Sequence, residues 1–259
     1  MKKIFGFLAI VALLISCNKN EQGNMVVKIT IDGLKKGTLY LQKVKDTALI
    51  SVDSVQLDGK ANYVLSDDVE SPEIYFLALD KIASERISFF GEKGEITINA
   101  KLAKFATSAK ITGSVNQTLL DEHRAMAQKF NGRKLDMVVE RFEAQKINDT
   151  ALVSKIDKEE KGLTRRKYFY TTNFAVIHAE KEVAPYLALT ELFDANIKLL
   201  DTINNSLSKE VKTSKYGLEL DKFIKEIKTA EKEYLKVKGK RQKAKGKIKK
   251  ILNRACILF

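Results

Sequence analysis

The sequence predicts an α+β protein in which an N-terminal antiparallel β-sandwich, or a barrel-like sheet, is followed by a helical region. Between residues 25 and 113, short runs of alternating apolar and polar residues are separated by turns that contain glycine or aspartate, which is typical of antiparallel strands. From Ser114 to about residue 231, apolar residues recur every three or four positions, as they do along one face of a helix. The chain has only two prolines, and this scarcity favours long regular elements.

About eight short strands are expected in the β region. The run MVVKITI leads to Asp32-Gly33, GTLYLQKV follows it, and ALISVDSVQL and KANYVLS flank Asp58-Gly59. Because glycine accepts a positive φ at no steric cost, Asp-Gly between two apolar runs predicts a hairpin at that position. The remaining strands are expected in EIYFLALD, ERISFFG, GEITINA and SAKITG. Three residues alternate along the fifth strand and are expected to share its core face: Tyr75, Leu77 and Leu79.

About four helices are expected in residues 114–231. The first follows Ser114, and Asn131-Gly132 is expected to separate it from a continuation. Asp149 or Thr150 is a suitable N-cap for the second helix. The apolar stripe of that helix has near-heptad spacing and comprises Val153, Ile156, Leu163, Tyr170, Phe174 and Ile177.

Pro185 suits the first turn of a third helix, which is expected to continue through PYLALTELFDANIKLLDTI. Thr213 or Ser214 is expected to open the last helix, whose inward residues are Leu218, Phe223 and Ile227. Packing against other helices or the sheet is the expected role of these stripes. The alternative is a ligand groove lined by an aromatic cluster of Tyr168, Phe169, Tyr170 and Phe174.

Residues 1–16 are expected to form an export signal. Lys2 and Lys3 precede an uncharged apolar run of about a dozen residues, shorter than the roughly 20 residues of a membrane-spanning helix. The segment Leu14-Ile15-Ser16-Cys17 resembles a bacterial lipobox. That resemblance implies that the Cys17 sulfur carries diacylglycerol and anchors the protein to a membrane. Residues 17–24 indicate a short flexible tether, because Cys17 is followed by the polar run NKNEQGN.

The residues after Cys17 also predict a location. Asn18 stands where the sorting rule of enteric bacteria places the aspartate that retains lipoproteins in the inner membrane, and no acidic run follows it. The expected location is therefore the periplasmic face of the outer membrane, with the protein held in the cell envelope by its lipid.

The formal net charge of +13 is concentrated near the C-terminus. Residues 232–259 contain 11 Lys or Arg and one Glu, which leaves a net charge of only +3 for residues 1–231. A nucleic-acid-binding domain needs a basic face spread over its fold. This distribution, together with the export signal, excludes nucleic acid as the partner.

Two interpretations of the basic tail, residues 232–259, stay open. Its apolar residues recur at helical spacing between lysines, which favours a cationic amphipathic helix lying on anionic lipid headgroups. The other interpretation is a disordered solvated tail, or the remnant of a gene that has lost a catalytic domain.

The sequence contains no constellation that indicates catalysis, and the protein is expected not to be an enzyme. His123 and His178 are its only histidines, and each is expected to be structural or exposed. Asp121-Glu122-His123 lies on one helix, where adjacent side chains point in different directions. Two acidic pairs are expected to be solvated surface: Asp67-Asp68 and Glu159-Glu160. Metal-ligand spacings and phosphate-binding loops are absent, so no metal and no cofactor are expected.

Several segments occur in an order that is recognisable: the strand leading to Asp32-Gly33, then GTLYLQ, LDGKANY, FFGEKGEITI and ITGSVNQ. This order, over about Val26 to Glu143, resembles an N-terminal domain of unknown function common in outer-membrane-associated lipoproteins of Bacteroidetes-type bacteria. In that family a helical linker and a thioredoxin-like thiol–disulfide oxidoreductase domain with a Cys-x-x-Cys motif follow. This chain has no such motif. Once Cys17 is acylated, Cys256 is a free thiol without a partner, which excludes dithiol redox catalysis by this chain alone.

These observations together predict a non-catalytic, membrane-anchored periplasmic lipoprotein that serves as a binding or assembly module. Its candidate partners are the membrane, through the N-terminal lipid, and either another protein or a second copy of the chain. The alternative is an accessory or truncated form of a thioredoxin-like thiol–disulfide oxidoreductase that lacks its redox domain.

Overall fold

The computed structural model describes residues 23–80, 82, 85–236 and 250–251, and the side chains of this set except those of residues 234–236. The predicted export signal, the lipidation site Cys17, most of the tether and the free thiol Cys256 lie outside the described residues. Within them, no helix is both long enough and apolar enough to cross a membrane.

Two sheets followed by helices make up the described residues, so the predicted α+β class is confirmed. The eight strands are β1 Met25–Asp32, β2 Gly37–Lys45, β3 Ala48–Leu57, β4 Asn62–Asp67, β5 Glu73–Leu79, β6 Arg86–Gly91, β7 Gly94–Lys101 and β8 Lys110–Thr112. A short 3-10 helix, Leu102–Lys104, joins β7 to β8. The six α-helices are α1 Val115–Lys146, α2 Thr150–Ile177, α3 Val183–Glu191, α4 Ile197–Ser206, α5 Lys209–Thr213 and α6 Lys215–Lys236.

The two four-stranded sheets form a sandwich around one apolar core. Their strand orders are β4-β1-β7-β8 and β3-β2-β5-β6. Alternate residues of both sheets enter a common buried cluster, which includes Val27, Ile29, Leu39 and Leu41. The predicted core face of β5 is confirmed, because Tyr75, Leu77 and Leu79 are all buried in this cluster.

One pairing and one hairpin differ from the sequence-based expectation. β1 pairs with β7 in parallel, whereas the other ladders are antiparallel. The predicted hairpin around Asp58-Gly59 is wrong, because β3 and β4 belong to different sheets. β3 is paired along its length with β2. After Gly59 the chain crosses to the other sheet, where β4 pairs with the side of β1 that β7 does not occupy. The hairpin in this part of the fold joins β2 to β3, with Asp46 at a φ of 56°.

The helices pack on the outer face of the second sheet and share a core with it. Ile74 and Phe90 point away from the sandwich interior into the helical apolar cluster. The Phe90 ring meets the rings of Tyr186 and Tyr216 edge-to-face, with centroids 5.2 and 6.0 Å away. The Ile74 N–H donates a hydrogen bond to the Tyr216 hydroxyl at 2.9 Å. The β and helical regions are thus joined by buried contacts.

A polar clamp fixes the start of α1 on the sheet. Ser114 caps the helix by accepting a hydrogen bond from the Gln117 N–H at 3.0 Å. The Gln117 side chain in turn accepts one from the Phe90 N–H at 2.9 Å. The Asn116 amide donates to Glu92 at 2.7 Å and to Glu182 at 3.1 Å, while its oxygen accepts from the Val183 N–H. Strand β6 and helices α1 and α3 are therefore held at one point.

The predicted helix boundaries are partly correct. Asp149 caps α2, as expected, by accepting a hydrogen bond from the Leu152 N–H at 2.9 Å. The predicted break at Asn131-Gly132 is wrong, because α1 runs through both residues. A single helical glycine costs only about 1 kcal/mol relative to alanine, and packing of α1 on α2 outweighs it.

The third predicted helix is also wrong, because it is divided into α3 and α4. Asn196 starts α4 by accepting a hydrogen bond from the Lys198 N–H at 3.0 Å. Two residues expected to face inward, Ile177 and Leu218, are instead 76% and 58% exposed. The other members of those stripes are buried or half-buried, among them Phe174 and Phe223.

Helix α6 continues to Lys236, so it includes the first five residues, 232–236, of the predicted basic tail. Further on, Ile251 is half-buried and packs against the helical core. At least this point of the C-terminal segment therefore contacts the folded body.

Candidate functional site

The distal halves of α1 and α2 form an antiparallel helical hairpin with a small core of its own. That core consists of Met137, Ala144, Ile156 and Leu163, with Phe130 and Val153 partly buried beside them. Four ion pairs run between the two helices. Arg133–Glu159, Lys134–Glu160 and Arg141–Asp157 have N–O distances of 3.6, 3.6 and 3.0 Å, and Arg141 also pairs with Glu160. Each helix of the hairpin therefore buries one of its faces against the other helix.

Exposed apolar residues are concentrated on this hairpin. Of the 12 large apolar side chains that are exposed in the described residues, six lie between residues 135 and 152. Four of them form what we call the α1 stripe: Leu135, Val138, Val139 and Phe142, which are 48 to 65% exposed. Their spacing of three and four residues places them on one face of the helix. Met137 and Ala144, which face α2, lie roughly on the opposite side.

The α1 stripe is flanked by charges of opposite sign. With about 100° between successive residues, Lys134 and Arg141 lie on one side of the stripe, and Asp136 and Glu143 lie on the other. Arg141 pairs with Asp157 and Glu160 of α2, and Glu143 pairs with Lys146 of α1 at 2.8 Å. An apolar strip with a basic edge and an acidic edge is a surface suited to protein contact rather than to a lipid surface.

Sequence reasoning missed the α1 stripe, although its signal is visible. The apolar residues of α1 fall on two faces, one marked by Phe130, Met137 and Ala144 and the other by the stripe. A helix with one packing partner needs only one apolar face. Two such faces therefore indicate a second partner, but they also cancel the simple amphipathic pattern on which the predicted stripes relied.

The aromatic cluster predicted as a possible groove is divided by the structure. Tyr170 and Phe174 point inward and surround His123, with ring centroids 5.6 and 5.5 Å from the imidazole. Tyr168 and Phe169 face the other side, where the Tyr168 hydroxyl donates a hydrogen bond to Asp194 at 2.7 Å. These four residues therefore do not line one groove.

His123 is a buried structural residue, as expected. It is 1% exposed, and its Nε2 lies 2.9 Å from the Thr171 hydroxyl. Its Nδ1 has no hydrogen-bond partner among the described residues. Burial lowers the pKa of this imidazole, because a positive charge would be poorly solvated there. Asp121, its neighbour on the helix, is used elsewhere and accepts a hydrogen bond from Gln117 at 2.8 Å.

The two predicted acidic pairs behave differently. Asp67 is not solvated surface, since its carboxylate accepts hydrogen bonds from Lys43 at 2.6 Å and from the Tyr75 hydroxyl at 2.7 Å. Burial, with the bond to Asp67, raises the pKa of Tyr75. Asp68 points elsewhere and accepts a hydrogen bond from the Asn24 N–H at 3.0 Å. Glu159 and Glu160 are used separately in the α1–α2 ion pairs.

A cleft of about 490 Å³ lies at the junction of the second sheet and α6. Three of its charged groups pair with one another: Glu73 lies 3.8 Å from Lys43 and binds Lys215, whose ammonium also donates to the Val44 carbonyl at 2.9 Å. Burial raises the pKa of Glu219, which lines the same cleft. The main consequence of this arrangement is attachment of α6 to the sheet. No group of three or more metal-ligating side chains occurs among the described residues.

Comparison with protein families supports the predicted N-terminal domain. Residues 25–120 match the model of the family described as Domain of unknown function (DUF4369). The match covers the whole sandwich and the first turns of α1, and it ends before the α1 stripe. The expectation of an N-terminal domain of unknown function is thereby confirmed. No curated protein and no solved structure matches the chain.

Proposed function

We propose that this protein is a non-catalytic lipoprotein on the periplasmic face of the outer membrane, anchored through Cys17, and that it acts as an assembly module. The observation that supports the proposal is the exposure of the α1 stripe, and we expect the stripe to join one copy of the chain to a second. The largest apolar patch on a monomeric protein is typically about 300–600 Å² and is often functional. From the exposed fractions of the four residues, their exposed surface together is roughly 400 Å².

The charges beside the stripe specify how the second copy docks. When two helices pack side by side in parallel, the left flank of one meets the right flank of the other. Lys134 and Arg141 of one copy then face Asp136 and Glu143 of the next. In an antiparallel pair each flank meets its own counterpart, which places like charges together. Complementary flanks therefore favour a parallel pair of α1 helices.

The size of the stripe indicates a weak interface. A stable protein–protein interface buries about 800 Å² on each partner, roughly twice what the four side chains expose. Anchoring by lipid compensates for this, because two copies confined to one membrane have a high effective concentration. The proposed anchor and the proposed contact thus depend on each other.

Site-specific cross-linking tests the contact. Leu135→Cys and Phe142→Cys are each introduced into the full-length protein carrying Cys256→Ser, and the protein is reconstituted in liposomes and oxidised. A parallel, in-register pair brings each position next to itself, so both single variants form disulfide-linked dimers. An antiparallel pair gives little dimer with either variant alone, but gives dimer when the two are mixed.

A matched control separates docking from random collision. Lys155→Cys is the control position, because Lys155 is also exposed but lies on α2 rather than on the α1 stripe. The parent with Cys256→Ser reports any dimer that arises through Cys17. If positions 135 and 142 cross-link no faster than position 155, both alone and mixed, the α1 stripe is not a contact between copies.

A second candidate function is an accessory role beside a thioredoxin-like thiol–disulfide oxidoreductase. It is favoured by the match of residues 25–120 to a domain of unknown function, together with the resemblance to domains that precede such an enzyme. Sequencing of the adjacent downstream reading frame tests it. A frame that encodes a thioredoxin-like segment supports this alternative, and a frame that encodes an unrelated protein argues against it.

A further inference from the structure

A groove of about 750 Å³ lies between α2 and the first turn of α4, with Arg141 of α1 at its edge and none of the four apolar residues of the α1 stripe in its lining. Its apolar surface comes from Tyr168, Phe169 and Leu199. Phe169 is 44% exposed there, and the hydrogen bond from Tyr168 to Asp194 holds the neighbouring ring in place. A groove of this volume accommodates a small organic molecule.

The charge at this groove is positive once internal pairs are discounted. Its two carboxylates, Asp157 and Glu160, are both bound by Arg141. Three further cations line it: Lys161, Arg165 and Lys198. Among the described side chains none of these three has an ion-pair partner within 4.0 Å.

Aromatic and cationic groups meet within the groove. The Arg165 guanidinium lies 5.3 Å from the centre of the Phe169 ring, a cation–π distance. A flat apolar body can therefore cover Phe169 and Leu199 while its anionic group reaches Arg165 and Lys198. The partly buried floor supplies apolar contact, and the rim supplies charge.

We propose that this groove binds a small organic anion that has an aromatic body and a single carboxylate or similar anionic group. The proposal does not rest on the contact between copies, because the groups that it uses lie on α2 and α4, and Arg141 at the edge of the groove is the one residue that it shares with the flank of the α1 stripe. Lys161 contributes long-range attraction, whereas Arg165 and Lys198 contact the anionic group.

The test uses 2-naphthoate as the probe and 2-naphthamide as its uncharged counterpart. Binding is measured by ligand-observed NMR on the full-length protein in lipid nanodiscs, with empty nanodiscs as the blank. We expect saturable binding of 2-naphthoate that is stronger than binding of the amide. Arg165→Gln combined with Lys198→Gln should weaken 2-naphthoate about tenfold at low ionic strength and leave the amide within about twofold.

Three further variants locate the site. Phe169→Ala should weaken both probes, because it removes the apolar contact that they share. Lys155→Gln, an exposed lysine outside the groove, should change neither. The proposal is overturned if 2-naphthoate shows no saturable binding at millimolar concentration, or if the double variant weakens both probes equally. It is also overturned if Phe142→Ala on the α1 stripe, rather than Phe169→Ala, abolishes binding.

Discussion

Truncating Leu77 tests the register of the sandwich directly. Leu77 lies in the middle of β5, opposite Leu41 of β2 and Ile87 of β6, and it is 0% exposed. Both partners are themselves buried in the same cluster. A Leu77→Ala variant therefore leaves a cavity that neighbouring strands, held by their ladders, can fill only in part.

The expected cost follows from this burial. Leu-to-Ala changes in well-packed cores cost about 2–5 kcal/mol, and we expect about 3 kcal/mol here because the site is fully enclosed. Leu77→Asp adds an unpaired buried carboxylate, which costs several kcal/mol more. Since domains are stable by only about 5–15 kcal/mol, the aspartate variant is expected to be unfolded.

Leu135 provides a matched control for the same substitution. It is 65% exposed on the α1 stripe, so Leu135→Ala should change the free energy of unfolding by no more than about 0.5 kcal/mol. Urea denaturation followed by far-UV circular dichroism measures both variants, since the chain contains no Trp. Equal and small losses for Leu77→Ala and Leu135→Ala would refute the proposed core face of β5.

Four further predictions follow from particular residues. Burial lowers the folded-state pKa of His123 below 6.5, so the stability that the neutral imidazole contributes is complete above about pH 6.5 and is lost as the pH falls. Thermal melts should therefore show a smaller drop in melting temperature at acid pH for His123→Gln than for the unsubstituted protein. Cys17→Ala should abolish metabolic labelling with a fatty acid, and retained label would disprove the anchor. A non-reducing gel should show a dimer or mixed disulfide that Cys256→Ser abolishes. Ile251→Ala should lower the free energy of unfolding by about 1 kcal/mol, and no change in a urea melt would contradict the contact of Ile251 with the helical core.

The strands were predictable because their alternation is a local property. Each run of alternating residues between Met25 and Thr112 became a strand, and the burial of β1 alternates along its length. Pairing is not local. β1 and β7 are more than 60 residues apart in the chain, and alternation has no direction, so their parallel ladder could not be read from either segment. The Asp58-Gly59 signal correctly predicted the break between β3 and β4, where Gly59 has a φ of 85°, but not which sheet the next strand would join.

The helices show where local signals compete with packing. Asp149 capped α2 as predicted, because an N-cap hydrogen bond needs only neighbouring residues. Gly132 did not end α1, because the hairpin continues to bury apolar residues on both sides of it. Asn196 was an equally good local cap inside the third predicted helix. It was overlooked because the apolar pattern continued through it.

The two apolar faces of α1 explain why the hairpin and a second copy fit together. One face is covered by α2, and within the described residues no element covers the other. In a parallel pair of hairpins the order across the assembly would be α2, α1, α1 and α2, so both central helices would be buried on two sides. The basic flank of α1 would then make two sets of contacts, since Lys134 and Arg141 already bind α2 and would also face the acidic flank of the partner copy.

Two substitutions separate these contacts. Arg141→Met should weaken both the hairpin and the pairing of copies, because Arg141 takes part in both. Asp136→Asn should weaken only the pairing, because the Asp136 carboxylate has no ion-pair partner within 4.0 Å among the described residues. Thermal melts and cross-linking at position 135 separate the two effects, and equal loss of melting temperature in both variants would contradict this division of roles.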